Sequence, residues 1–319
     1  MKMAANSILH TIGHTPLVKL GSRLAENAKG AIWLKMEYVN PSGSLKDRIA
    51  LKMIEDAEGK GRLKPGSTIL ESSTGNTGIA LSFVGIQKGY KVVIYETTPG
   101  KIGEEKRKIM RGYGADVRSL PPEELQKMRE RSVAGAEVEL PGRQMCLELE
   151  KTHADYWWAR QFSNPANVLA HHQTALEILE QTKGKVDTFI ASIGTGGTLM
   201  GVAEILKKEN PRTRVIGLDP ASSKTPIVPG KPYPRSEISG GIIAEMLQRD
   251  LVDEVIPVGD EEAVEMTHRL WREGFFAGVS SGANLLAALR EAREGRGENI
   301  VTVLCDSADR YFTEEHYIT

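Results

Sequence analysis

The sequence predicts an α/β protein built on mostly parallel sheets, and three observations carry that prediction. Short β-branched runs alternate with longer amphipathic segments. The short runs are apolar almost without interruption, as strands covered on both faces are. Gly-rich turns join the two kinds of segment. At 319 residues the chain exceeds the usual size of one domain, so two lobes are expected.

Six strands are expected, in order: AIWLK (31–35), TILE (68–71), KVVIY (91–95), DTFIASI (187–193), RVIGLD (214–219) and NIVTVLCD (299–306). Between them, DRIALKMIEDAEGKG places Ile49, Ala50, Met53, Ile54 and Ala57 at helical spacing. GVAEILKKEN, EEAVEMTHRLWREG and GANLLAALREAREG repeat that pattern. Residues 222–237, rich in Pro, Gly and Ser, read as a long surface loop, either a plain connector or a neighbour of the active site.

Composition narrows the function classes. Net charge is −1, so nothing in the bulk electrostatics favours nucleic acid or an acidic membrane surface. No apolar run approaches the roughly 18 residues of a membrane span, and the N-terminus has no signal-peptide core. Cys146 and Cys305 lie far apart in apolar, strand-like contexts, which predicts buried free thiols and a reducing cytoplasm. No metal site is expected: His10 and His14 flank a turn, and His171 and His172 are adjacent, so they point different ways on a helix.

Four motifs carry chemistry. NPSGSLKDR (40–48) delivers Lys46 to the first turn of a helix. The positive helix end and the local N–H groups there disfavour a cation, which favours the neutral amine that Schiff-base chemistry needs. A solvated lysine after a Ser cap is the plain alternative. ESSTGNTGIAL (71–81) follows a strand and opens a helix. Four of the five residues Ser73, Thr74, Gly75, Asn76 and Thr77 carry polar side chains, more than a helix cap requires. SIGTGGTLMGV (192–202) presents Gly194, Thr195, Gly196, Gly197 and Thr198 as a cup for one phosphate. With Leu199 where a third glycine would stand, it is not the dinucleotide fingerprint. GVSSGAN (278–284) matches a nucleophile elbow at Ser280, with Asp306 and His316 in hydrolase order, but too little chain follows for that fold.

An activated lysine, a monophosphate cup, a second loop suited to an anion, phosphate or carboxylate, and a serine at a helix start are what pyridoxal 5′-phosphate acting on an amino acid requires. With QFSNPAN added, these motifs resemble, in order, those of the cysteine synthase / cystathionine β-synthase family, over nearly the whole chain from IGHTPLVKL (12–20) to DSADRYFT (306–313). The resemblance implies a fold-type II enzyme, similar to the tryptophan synthase β chain, with two three-layer αβα lobes. A large cofactor lobe would comprise residues 1–40 and 151–319, and a small mobile lobe residues 41–150. It implies Lys46 as the Schiff-base lysine and general base, Asn76 at the cofactor's 3′ oxygen, Gly194 to Thr198 at its phosphate and Ser280 at its ring nitrogen. Ser73, Thr74, Gly75, Asn76, Thr77 and Gln161 would hold the substrate carboxylate.

The implied reaction is a transferase β-replacement through an aminoacrylate: O-acetyl-L-serine or O-phospho-L-serine plus sulfide gives L-cysteine. A cytoplasmic homodimer is expected. Cystathionine or diaminopropionate-type synthesis, or a serine/threonine dehydratase or cysteine desulfhydrase, are the alternatives. Departures from the family pattern, SSTGNT (72–77), TTPGKIGEEKRK (97–108), EISGGII (237–243) and DSADRYFT, fall where leaving group and nucleophile are selected.

Overall fold

A computed structural model describes residues 5–21, 23–96, 103–120, 123, 140–221 and 251–314. The long loop expected at 222–237, the EISGGII stretch, the start of TTPGKIGEEKRK and His316 lie outside the described residues.

Two sheets organise the described chain. The larger contains β1 (Leu17–Lys19), β2 (Ala31–Met36), β7 (Thr188–Ser192), β8 (Arg214–Pro220), β9 (Glu254–Val258) and β10 (Asn299–Leu304), in spatial order β1-β2-β10-β7-β8-β9. The smaller contains β3 (Thr68–Ser72), β4 (Lys91–Glu96), β5 (Asp116–Ser119) and β6 (Tyr156–Trp158), in order β5-β4-β3-β6. Every pairing is parallel except β1 with β2. Because β6 pairs with β3, the smaller sheet runs past residue 150, where the expected small lobe ends.

Among the described residues, eight helices connect the strands: α1 (Lys46–Gly59), α2 (Asn76–Gln87), α3 (Glu104–Tyr113), α4 (Leu140–Thr152), α5 (Ala166–Thr182), α6 (Gly197–Glu209), α7 (Asp260–Arg272) and α8 (Val279–Glu294). None is long and apolar enough to cross a membrane. All five residues of β3 are buried, and so is α2 from Thr77 to Gly85, which explains why both read as continuous apolar segments. The apolar stripe of α1 (Ile49, Ala50, Met53, Ile54 and Ala57) packs with Ile69, Ile79 and Trp157 in the core of the smaller sheet. Cys146 corrects one expectation: it is a buried free thiol, but on helix α4 and not on a strand. Its apolar neighbours form one face of a helix packed against Leu70 and Trp158. Cys305 is free and half-buried just beyond β10.

The entry to α1 is fixed by a buried ionic cluster. Arg48 Nε and Nη2 donate to Glu37 at 2.7 and 2.8 Å, and Nη1 and Nη2 donate to Glu177 at 2.9 and 2.8 Å. Lys35 Nζ donates to Glu177 at 2.7 Å and to the Thr15 carbonyl at 2.7 Å. Burial alone would push the Glu177 carboxyl up, but Arg48 and Lys35 outweigh it and bring its pKa down to about 2. Glu37 is likewise held below its usual value, with Arg48 overcoming burial. Both pKa values are depressed in the folded state, so the stability they contribute is present above about pH 4.5 and is lost as pH falls toward 2. Thermal melts over that interval should show Tm falling steeply; a flat profile would contradict the coupling.

Candidate active site

Lys46 is the first residue of α1, and its backbone N–H donates to Ser44 Oγ at 3.2 Å. The loop before it is braced rather than free. Asp47, fully buried, accepts from the Ser42 N–H at 2.7 Å and from the Ser42 hydroxyl. Burial pushes the Asp47 carboxyl up to about 6, against these bonds from Ser42. Gly43 has φ +88°, and a β-carbon there would fall 2.6 Å from Arg310 Nη2, so no side chain fits the turn.

A cavity of about 320 Å³ lies at the carboxyl ends of β7, β8 and β10, where open α/β sheets place their ligands. Lys46, Asn76 and Ser280 line it. So do Gly194, Thr195, Gly196 and Thr198 from the loop between β7 and α6. Four separate motifs, spread over more than two thirds of the chain, therefore converge on one volume. Gly197, of the same loop, is not among the lining residues.

The β7–α6 loop has the donor set of a phosphate site. Gly196, the N-cap of α6, offers no side-chain acceptor, and beyond the Gly197 N–H the first-turn N–H groups suit an anion. Thr195 Oγ1 already accepts from Asn167 Nδ2 at 3.1 Å and from the Gly197 N–H at 3.4 Å, so its own proton is left to donate. A β-carbon on Gly197 would fall 1.9 Å from Asn167 Oδ1; only glycine lets the loop close over Asn167. A β-carbon on Gly194 would meet nothing within 4 Å, leaving room beside the loop. Buried His171 sits 3.1 Å from Thr198 Oγ1 through Nε2. Burial pushes its pKa down to about 3, so it is a neutral partner. His172, on the other face of α5, meets Glu204 instead.

The β3–α2 loop is internally bonded. Ser73 Oγ accepts from the N–H groups of Gly75 at 3.3 Å and Gly78 at 3.1 Å. Thr77 Oγ1 donates to Gln161 Oε1 at 2.6 Å, and Gln161 Nε2 donates to the Ser72 carbonyl at 3.2 Å. Of this set only Asn76 lines the cavity; Ser73, Thr74, Gly75, Thr77 and Gln161 are not lining residues.

The elbow-like GVSSGAN has another explanation. A β-carbon on Gly278 would lie 2.3 Å from Asp306 Oδ1, and one on Gly282 would lie 2.1 Å from Thr267 Oγ1. Both glycines serve close packing. Buried Asn284 pins α8 to the sheet: its Oδ1 accepts from the Ser192 N–H at 2.8 Å and its Nδ2 donates to the Val303 carbonyl at 2.8 Å. That fixes the first turn, and Ser280 with it, at the cavity.

The sequence reading gave no site role to Arg310, Tyr311 or Cys305: it named the first two only within the departing stretch DSADRYFT and Cys305 only as a thiol, and it singled out Asp306 only in hydrolase order. Asp306, Tyr311 and Cys305 line the cavity. Burial, then the Asp306 charge, push the Cys305 thiol up to about 12, so it stays protonated. The signal for these residues was their position directly after the central strand β10, where parallel sheets carry their sites.

With this geometry in place, comparison with known proteins is informative. Residues 8–306 match the family of pyridoxal-phosphate dependent enzymes. A cysteine synthase of Staphylococcus aureus is 40% identical over 98% of this chain and 97% of its own. The crystal structure of a cysteine synthase from Entamoeba histolytica superposes with a TM-score of 0.84 at 35% identity, covering 100% of this chain and 92% of that one. An O-acetylserine dependent cystathionine beta-synthase from Helicobacter pylori gives 0.80 at 32%, covering 98% and 99%. The chain belongs to the pyridoxal-phosphate dependent enzyme family, with the fold of its fold-type II members. Its cofactor is pyridoxal 5′-phosphate, which the lysine, the uncapped glycine loop and the cavity above fit.

Proposed function

We propose that this enzyme is a cysteine synthase, replacing the β-substituent of O-acetyl-L-serine or O-phospho-L-serine with sulfide to give L-cysteine. The observation that carries the reading is the convergence of Lys46, the Gly194–Thr198 loop and Ser280 on one cavity. The likeness to cysteine synthases over nearly the whole chain supports the choice within the family.

The cofactor, when bound, supplies an electron sink conjugated to the substrate Cα. Gly194, Thr195, Gly196, Gly197 and Thr198 would hold its phosphate, Asn76 would donate to its 3′ oxygen and Ser280 would face its ring nitrogen. A serine hydroxyl leaves that nitrogen largely unprotonated, which suits elimination and replacement over transamination. Ser73, Thr74, Gly75, Asn76, Thr77 and Gln161 take the substrate carboxylate. Lys46 removes the Cα proton as general base and returns it after sulfide has added at Cβ. The carboxylate of the donor's ester leaves as acetate, or its phosphate as inorganic phosphate. The smaller lobe, expected at residues 41–150 and extended by β6 at Tyr156–Trp158, closes over the substrate and keeps water out, and the enzyme works as a cytoplasmic homodimer.

Purified enzyme supplied with pyridoxal 5′-phosphate, each donor in turn and sulfide should form L-cysteine. Failure with both donors overturns the reading. Cystathionine formed from homocysteine in preference to cysteine would assign the neighbouring synthase activity. Pyruvate released in place of cysteine would mark a lyase.

A further inference from the structure

The carboxamide of Asn76 is held from the far side of the molecule. Asn76 belongs to α2 of the smaller sheet, whereas Asp306 and Arg310 follow β10 of the larger one. Arg310 Nη1 donates to Asn76 Oδ1 at 2.9 Å, and Asn76 Nδ2 donates to Asp306 Oδ2 at 2.6 Å. A guanidinium can only donate, and a carboxylate accepting a second donor, the Tyr311 hydroxyl at 2.6 Å, can only accept. The pair therefore fixes which end of the amide is oxygen and which is nitrogen. In the reversed orientation, Asn76 would set N–H against guanidinium and oxygen against carboxylate. With Oδ1 facing Arg310 and one Nδ2 proton on Asp306, the second Nδ2 proton remains for an acceptor in the cavity that Asn76 lines.

The same guanidinium also donates through Nη2 to the Ser42 carbonyl, in the loop that carries Lys46. One side chain thus ties the lysine loop to the Asn76 amide. Arg310 is 2% exposed and Asp306 2%, so solvent does not compete for either contact.

We propose that Asp306 and Arg310 are positioning residues for the cofactor: they orient the Asn76 amide so that its free N–H points at the cofactor's 3′ oxygen. The inference rests on the proposed role of Asn76. Because both partners stand across the divide between the two sheets, the amide is oriented only while the segment after β10 is docked against α2.

The test uses the enzyme loaded with pyridoxal 5′-phosphate, reading its visible absorption maximum as a function of pH and cofactor affinity by equilibrium dialysis. Arg310→Met should shift the absorption profile and weaken cofactor binding about tenfold or more, the usual effect of losing a hydrogen bond to a charged group. Arg310→Lys, which keeps one donor, should recover part of both. Asp306→Leu should act like Arg310→Met. Thr313→Val serves as the control: it breaks a contact of the same segment with Glu105 on α3, away from Asn76. An equal shift in Thr313→Val would overturn the inference, since loosened docking alone would then explain the effect. An unchanged spectrum and affinity in Arg310→Met, with a clear change in Asn76→Ala, would overturn it too. No change in Asn76→Ala would instead remove the reading of Asn76 on which the inference stands.

Discussion

Arg48→Met should cost about 3–5 kcal/mol of folding stability, the usual penalty for removing one partner of a buried ion pair. The methionine keeps most of the stem volume but takes a cationic partner from two carboxylates. Glu37 is 0% and Glu177 3% exposed, so neither can turn to water. Lys35 remains on Glu177, but Glu37 keeps only the Thr15 hydroxyl at 2.6 Å and the Asn40 amide at 2.9 Å. With Arg48 gone, burial dominates at Glu37 and should raise its pKa. Denaturant unfolding should therefore show a lower midpoint, with the deficit shrinking as pH falls through the carboxylate range. A variant carrying both Arg48→Met and Glu37→Gln should regain part of the loss. A loss below about 1 kcal/mol, the range of exposed ion pairs, would mean that the cluster contributes no more than a surface contact.

Lys46→Ala should lower kcat for β-replacement by at least about 10²–10⁴-fold, the contribution of a positioned general base. The fold should survive, because Lys46 opens α1 and the bond from its backbone N–H to Ser44 Oγ does not depend on the side chain. Alanine is also the best helix former at that place. Two measurements check this: the far-ultraviolet circular dichroism should match the parent, and the absorption band produced when the cofactor joins the lysine amine should disappear. Partial recovery of rate by added small primary amines would identify the lost group as an amine. Retention of full activity would remove Lys46 from the reaction.

The strands legible in the sequence were the interior ones. β2, β3, β4, β7, β8 and β10 all appear within a residue or two of the expected runs. Strands β1, β5, β6 and β9 were not foreseen, and all four stand at sheet edges. An edge strand has one neighbour and partial cover: β5 buries only Val117, and β9 only Val258. Such strands show no continuous apolar run. Sequence motifs likewise brought out the groups that occupy glycine-rich loops before helices. Asp306 and Arg310 are ordinary residues until the fold sets them on Asn76, more than two hundred positions earlier. Local pattern carries no trace of that contact.

The placement of β10 has a further consequence, for the order in which the molecule can be assembled. Ala31 pairs with Asn299 and Met36 with Leu304, while Ile300 pairs with Thr188 on the other side. The centre of the larger sheet is thus completed by a stretch that leaves the ribosome more than 250 residues after β2. The smaller sheet draws all its strands from residues 68–158 and is available long before. During synthesis β1 and β2 must wait as an orphaned hairpin, with the apolar faces of Ile32 and Leu34 uncovered. Closing that distance makes the final joining slow, and puts this stretch of the newborn chain within the reach of chaperones.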